Sequence, residues 1–236
     1  MSHGHSATTV VVLQPGYLPW LGFFDQLRRA DVFVYYDDVQ YDKHGWRNRN
    51  RIKTQTGPQW LTVPVRHGGE GFPRIVDVEI DGRTPWARKH TASIRQAYAR
   101  APFLGRYMPA LEEMLHRKWE RLVDLDFACA GLIADWLGIE RRIQRSSAVG
   151  VTGERTERLV NICRHFGAGR YLSGDSAQSY LDVAAFQAHG IAVEWQQYAH
   201  PAYPQLHGAF VPYMSAIDLV LNCGPEAPLI AFGGLR

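Results

Sequence analysis

The sequence predicts an α/β fold: a mostly parallel sheet with helices on both faces and a helical segment near residues 84–137. Three observations carry that prediction. The chain opens as strand, turn, helix, strand. Its last third alternates short apolar runs with helix-length segments. Its composition, 46% apolar and 21% charged with mixed sign, is that of a globular chain able to bury a core without staples.

The opening unit is the clearest. Thr9 to Leu13 is β-branched and apolar, and stops at Pro15, which has no N–H to give a ladder. Pro19 suits a first helical turn. Leu21, Phe24, Leu27 and Arg28 follow at helical spacing, and Phe23 and Ala30 widen the apolar face. Val32 to Tyr36 reads as a second strand. So compact a unit predicts a parallel pair with a right-handed crossover. Residues 43–58 read as a polar excursion. Gln59 to Val65 reads as a strand closed by Pro64 and the glycines 68, 69 and 71, and Ile75 to Ile80 as a half-exposed strand.

In the middle, Thr84 is expected to cap a helix from Pro85 to about Tyr98. Leu111, Leu115, Trp119 and Leu122 form one helical stripe, and Asp124 or Asp126 starts a second helix ended by Gly138. The last third gives strands at 139–146, 170–172 and 191–196, and helices at 152–166 and 180–189. An irregular stretch from Tyr198 to Tyr213 and a final helix capped by Ser215 follow. This alternation predicts a doubly wound, Rossmann-like sheet. The expected organisation is a disordered tail over 1–8 and a single α/β domain over 9–236.

Several function classes fall away. A net charge of +3 argues against nucleic-acid or membrane partners. Cys129, Cys163 and Cys223 are too few and scattered for a disulfide framework or a metal site. His200 and His207 lack zinc spacing, and His3 and His5 sit in the tail. There is no P-loop, GxSxG elbow, HExxH or GxGxxG after the first strand. No cofactor and no metal are expected. No apolar run crosses a bilayer and the N-terminus is polar, so the expectation is a cytoplasmic chain. The expected partner is a small molecule carrying a carboxylate or phosphate, and a homodimer stays open.

In open parallel sheets, ligands bind outside the carboxyl ends of the strands. That rule selects Gln14 and the loop Pro15 to Trp20 after the first strand, then Asp37, Asp38 and Gln40 after the second. Ser146 and Ser147, Ser173 to Ser176, and Gln197, His200, Tyr203 and His207 follow the later strands. Two prolines and a glycine hold Tyr17 and Trp20 in a rigid loop, where they either wall a pocket or plug the core. Asp37 and Asp38 point to opposite strand faces, each a general base, a cation anchor or a turn former.

Lys43 to Lys53 reads KHGWRNRNRIK. If extended, it lines Arg47, Arg49, Arg51 and Lys53 on one face. Such an array suits a carboxylate or phosphate; the alternative is a basic solvated hairpin paired with Asp37, Asp38 and Asp42. Trp86, His90 and Tyr98 share a helical stripe beside Lys89, an anion site or a structural histidine. Ser173-Gly174-Asp175-Ser176 is a phosphate-sized turn, but Asp175 opposes an anion there.

The segments QPGYLPWLGFFDQL, ADVFVYYDDVQYDKHGWRNRNRIKT, QWLTVPV, WARKHTASIRQAY, TERLVNICRHFGAGRYLSG and MSAIDLVLNCG, taken in order, resemble the WbqC-like family from about Val10 to Gly224. The resemblance implies a biosynthetic role, as in the O-antigen clusters that give the family its name and in natural-product clusters. Sugar or amino compounds are the implied substrates. Its motif positions fall on Gln14, Pro15, Tyr17, Pro19, Trp20, Asp37, Asp38, Gln40, Trp46, Asn48, Arg49, Lys53, Ser215 and Asp218. Asp175-Ser176-Ala177-Gln178 departs from the glycine- and lysine-containing turn of the family. A fainter similarity, to HxGH nucleotidylyltransferases, stops at topology because both histidines are missing.

The expected activity is a transferase joining an amine-bearing small molecule, an amino sugar or amino acid, to an acyl or aminoacyl group. Asp38 or His200, with Asp37 beside them in the catalytic set, frees the amine. Arg47, Arg49 and Lys53 hold the anion, and Tyr17 and Trp20 wall the pocket. Gln14, Gln40, Lys43, Trp46, Asn48, His90, Ser173, Tyr203 and Ser215 complete the substrate-binding set. The alternatives are amine–carbonyl condensation and a non-catalytic binding or scaffold protein.

Overall fold

The structure, a computed structural model, describes residues 7–43, 45–66, 71–140 and 142–233. In chain order its elements are β1 (Thr9–Leu13), α1 (Leu21–Arg29), β2 (Val32–Tyr35), β3 (Arg49–Thr54), β4 (Gly57–Thr62), α2 (Trp86–Ala97), α3 (Leu104–His116) and α4 (Leu122–Trp136). There follow β5 (Ile143–Arg145), α5 (Ser146–Val149), α6 (Arg155–His165), β6 (Arg170–Ser173), α7 (Val183–Gln187), β7 (Ala192–Trp195), α8 (Ala216–Cys223) and α9 (Ala227–Phe232). None of the described helices is long and apolar enough to cross a membrane. Residues 1–6 of the expected tail, His3 and His5 included, lie outside the described residues, as do His44 and the glycines 68 and 69.

The described chain falls into two compact units, the first made of residues 7–14, 25–37 and 142–199. It holds a five-stranded sheet in the order β5-β2-β1-β6-β7, parallel throughout, so the predicted Rossmann-like α/β class is observed. The alternation of strand side chains explains the burial on both faces. On one face Val10, Val12, Val34 and Tyr171 pack with Val160 and Cys163 of α6 and Phe186 of α7. Their neighbours in sequence, Val11, Phe33 and Leu172, are buried on the other. From β1 the chain steps outward to β2 and β5, then resumes beside β1 with β6 and β7. That reversal puts the switch point between β1 and β6.

The second unit comprises residues 15–24, 38–66 and 71–140 (His44 apart), and 200–233. Its sheet is the antiparallel hairpin β3–β4, with Arg51 facing Trp60 and Arg49 facing Thr62. The polar excursion expected at 43–58 thus contains a strand. Its inward side chains are Asn50 and Ile52, and β4 returns Leu61 to the same buried side. Helices α2 to α4 occupy the segment that read as helical, and α8 is buried along its whole length.

Other elements shift from expectation for local reasons. Ile75–Asp77 is a single 3-10 turn rather than the start of a strand; its buried residues, Ile75, Val78 and Ile80, do not keep a period of two. Pro85, not Thr84, precedes α2, with the Thr84 carbonyl accepting from Trp86 N–H at 2.8 Å. Trp119 lies between α3 and α4, where its indole N–H donates to the Met114 carbonyl at 2.9 Å. Asp124 and Asp126 sit inside α4 rather than at its start. Ser215 caps α8 as expected, its hydroxyl accepting from Ile217 N–H at 3.5 Å, and α9 is an additional helix.

Candidate functional site

The carboxyl edge of the first unit's sheet is rich in polar side chains that satisfy one another. Asp37, fully buried at the end of β2, accepts from the Ser146 hydroxyl at 3.1 Å, Ser147 N–H at 3.0 Å and the Ser147 hydroxyl at 2.9 Å. Beyond β7, Gln196 accepts from Gln26 at 2.7 Å and donates to Asp25 at 3.1 Å, while Arg29 donates to the Gln196 carbonyl at 2.8 Å. Ser173 is buried at the end of β6, its carbonyl taken by Gln196 N–H, and Gln14 is half-buried at the end of β1.

In the second unit the proline-aromatic loop is built into the hairpin. Tyr17 N–H reaches the carbonyls of Trp46 at 3.3 Å and Arg47 at 3.1 Å. A side chain at Gly16 would approach the Trp46 carbonyl oxygen to 3.1 Å, so this contact favours glycine. The Asn50 amide, buried in β3, donates to the carbonyls of Tyr17 and Leu18 at 3.2 and 2.7 Å. Tyr17 itself is wholly buried, with its hydroxyl 2.9 Å from His90 Nδ1. Burial lowers the His90 pKa to about 4, opposed by a hydrogen bond to the Thr62 backbone. The ring is therefore neutral at physiological pH.

Trp20 behaves differently from Tyr17. Its indole is half-buried and lies parallel to the His200 ring, 9° apart in plane and 6.4 Å between centroids, with Tyr213 edge-on. His200 uses both ring nitrogens: Nδ1 meets the Pro201 carbonyl at 2.9 Å and Nε2 accepts from Tyr213 N–H at 3.2 Å. Burial lowers its pKa. Lys53, Tyr203 and Ser215 belong to the packing of the 200–213 segment. The Lys53 ammonium donates to the Ala209 carbonyl at 2.7 Å, and Tyr203 donates to Asp218 at 2.8 Å. Ser215 N–H is bonded to the Arg51 carbonyl at 2.9 Å. Asn48 is buried, its amide on the Val63 carbonyl at 2.8 Å. Asp38 is half-buried, and Gln40 and Lys43 are exposed.

The outward face of the hairpin carries the remaining predicted residues. Trp46 and Trp60 are 43% and 42% exposed and only 5.2 Å apart. The Arg49 guanidinium lies 4.5 Å from the Trp60 ring centre, and that of Arg51 is 5.5 Å from both indoles. Beside this face, Trp60, Trp86, Lys89 and His90 help to line an open groove of about 580 Å³. Among the described residues, no group of three or more His, Cys, Asp or Glu side chains is placed to hold a metal ion.

One residue escaped the sequence reading. Asp126 is completely buried in α4, and no donor among the described residues reaches either carboxylate oxygen. Burial raises its pKa well above the usual carboxylate range, with Arg47 pulling the other way. Arg47 also faces the exposed Asp42 at 3.6 Å. The Tyr41 hydroxyl is buried without a hydrogen-bond partner among the described residues, and its pKa is pushed up to about 12 by burial, then by Asp42 and Asp126. The signal was present: Asp126 shares its helical stripe with Leu122, Cys129, Ala130 and Ile133, all buried.

Comparison with known proteins adds a family. The family model described as WbqC-like protein family matches residues 14–230. The chain belongs to the WbqC-like family. An uncharacterized protein of Mycobacterium tuberculosis is 39% identical over 221 residues, 93% of this chain and 95% of that protein. No solved structure matches. The WbqC-like match starts at Gln14, where β1 ends, and takes in the loop, the hairpin, α2 and α8. Within the second unit this WbqC-like chain therefore brings Tyr17 to His90, Trp20 to His200, and Arg49 and Trp46 to Trp60.

Proposed function

We propose that this WbqC-like chain is a biosynthetic transferase that joins an amine-bearing small molecule to an acyl or aminoacyl group. The substrate lies against Trp60 and in the adjoining groove. What supports this is the stacking of Arg49 and Arg51 on exposed Trp60, next to Lys89. A substrate ring finds an indole face there, and a carboxylate or phosphate finds two guanidinium groups and an ammonium.

In the transfer, the amine nitrogen bonds to the acyl carbon. The bond from that carbon to the donor's leaving group breaks with its electron pair, and one proton passes from nitrogen to a base. The sequence reading gives that role to Asp38, which is half-buried in the same unit and does not itself line the groove. His200 already spends both ring nitrogens on the backbone, and the Asp37 carboxylate is held by Ser146 and Ser147.

Glucosamine 6-phosphate, an amine with an anionic group, is the probe. By calorimetry its affinity is expected to fall about tenfold in Trp60→Ala and in Arg51→Ala. Asp38→Asn is expected to keep that affinity and to lose turnover with an acyl-thioester donor by about a hundredfold. Unchanged affinity in both binding variants sinks the site, and full turnover in Asp38→Asn sinks the base. Binding with no transfer from any acyl or aminoacyl donor makes this a binding protein instead.

A further inference from the structure

On α2 and just past its end, Trp86, Lys89, Ser93, Gln96 and Arg100 recur every three or four residues and share one stripe. This stripe runs along a furrow formed by three adjoining cavities. The groove beside Trp60 ends at Gln59 and Ser93, and these two residues also line a second cavity of about 240 Å³. The second cavity shares Gln55, Gln96 and His207 with a third of about 400 Å³, which reaches Arg100. From Trp86 to Gln96 alone the helix rises about 15 Å.

The lining changes along this length. Trp60, Trp86, Lys89 and His90 give the first part ring faces and a cation. The middle is neutral and polar, from Thr54, Thr56, Gln59, Ser93 and Gln96, with Gln59 donating to the Ser93 hydroxyl at 3.3 Å. Neither Asp nor Glu lines any of the three cavities. Amides and hydroxyls each offer both donor and acceptor, which is what a row of ligand hydroxyls requires. An apolar chain would strand these groups unpaired, at a cost for each one buried.

We infer that the furrow binds a polyhydroxylated acid: a glycoside whose carboxylate or phosphate sits at Lys89 and whose sugar rings extend over Gln59, Ser93 and Gln96. This rests on the groove being the substrate site, as proposed above, and names the class of substrate. Lys89 takes the acid, rather than Arg100, because Trp60 and Trp86 flank it with surfaces on which the first ring can stack.

The test is binding to the full chain by saturation-transfer NMR and calorimetry, with lactobionate, glucuronate and glucose 1-phosphate as acidic probes. Lactose and inorganic phosphate are the controls. At least one acidic sugar is expected to bind tenfold or more tightly than either control. Lys89→Ala removes that preference. Ser93→Trp fills the middle of the furrow and abolishes sugar binding. Gln59→Leu with Gln96→Leu, which changes little volume, lowers sugar affinity several-fold and serves if the tryptophan variant does not fold. No binding of any acidic sugar, or binding untouched by both blocking variants, overturns the inference. Sugar binding that persists while every acyl transfer fails sinks the transferase reading and leaves this one standing. Transfer to amines that carry no sugar, with the furrow variants fully active, does the reverse.

Discussion

Asp126→Asn is expected to make the protein more stable at pH 8, with the gain fading to nothing near pH 4. Burial disfavours the Asp126 carboxylate, and no hydrogen-bond donor among the described residues offsets that cost. Its folded pKa therefore lies above its unfolded value of about 4. Below the unfolded value the carboxyl is protonated in both states and costs nothing extra. As pH rises toward the folded pKa, the folded chain retains a proton that the unfolded chain has lost, and stability falls by about 1.4 kcal/mol per pH unit. Asparagine closely matches the protonated acid in shape and carries no such loss. Melting temperatures of both proteins between pH 4 and pH 8 decide the matter. A variant that melts lower at pH 8, or a gain that does not depend on pH, rules this account out. A buried ionisable group kept at such cost is the kind that functional sites retain, so turnover should be measured on the same variant.

Asp218→Ala is expected to cost about 3–5 kcal/mol, a fall of roughly 10 °C in Tm. Asp218 is wholly buried in the first turn of α8. It accepts from the Tyr98 hydroxyl at 2.6 Å, the Tyr203 hydroxyl at 2.8 Å and the Gln205 amide at 2.6 Å. Burial still raises its pKa, against these three donors and Lys53. Lys53 is itself 2% exposed. Truncating Asp218 leaves three donors unpaired and removes a negative charge that interacts with Lys53, whose ammonium is held by the Gly208 and Ala209 carbonyls. This is the expensive way to break such a cluster. Asp218→Asn keeps the volume and one acceptor oxygen, so its loss should be smaller. Equal and small losses, under about 1 kcal/mol in both variants, mean that the network does not hold the 200–213 segment.

The parallel sheet was legible because apolar β-branched runs and helical spacing point the same way at β1, α1 and β2. Of the hairpin, only β4 was read as a strand, over Gln59 to Val65. Its strand β3 buries Asn50 and Lys53, whose polar groups are met by the carbonyls of Tyr17, Leu18 and Ala209 rather than by solvent. Hydrophobic alternation cannot register such a strand, since the buried side chains look polar. The same blindness affected Asp126, where the stripe was readable but a carboxylate on it looked like a helix start. Trp46, Arg49, Tyr17 and His90 were read as substrate-binding residues, but nothing in their spacing pointed to Trp60 as the residue that joins the arginines. That pairing is set by the β3–β4 register, which places Arg51 across from Trp60.

The three cysteines, which form neither a disulfide framework nor a metal site by their spacing, have surroundings that give them a use. All are buried, and burial raises the pKa of Cys163 to about 12, of Cys223 to about 11 and of Cys129 well above the usual range. Alkylating reagents attack the thiolate, so the native chain should label only through transient opening. Cys163 belongs to the first unit, while Cys129 and Cys223 belong to the second. A mass-resolved labelling time course therefore carries a separate clock for each unit, already in place without an introduced probe.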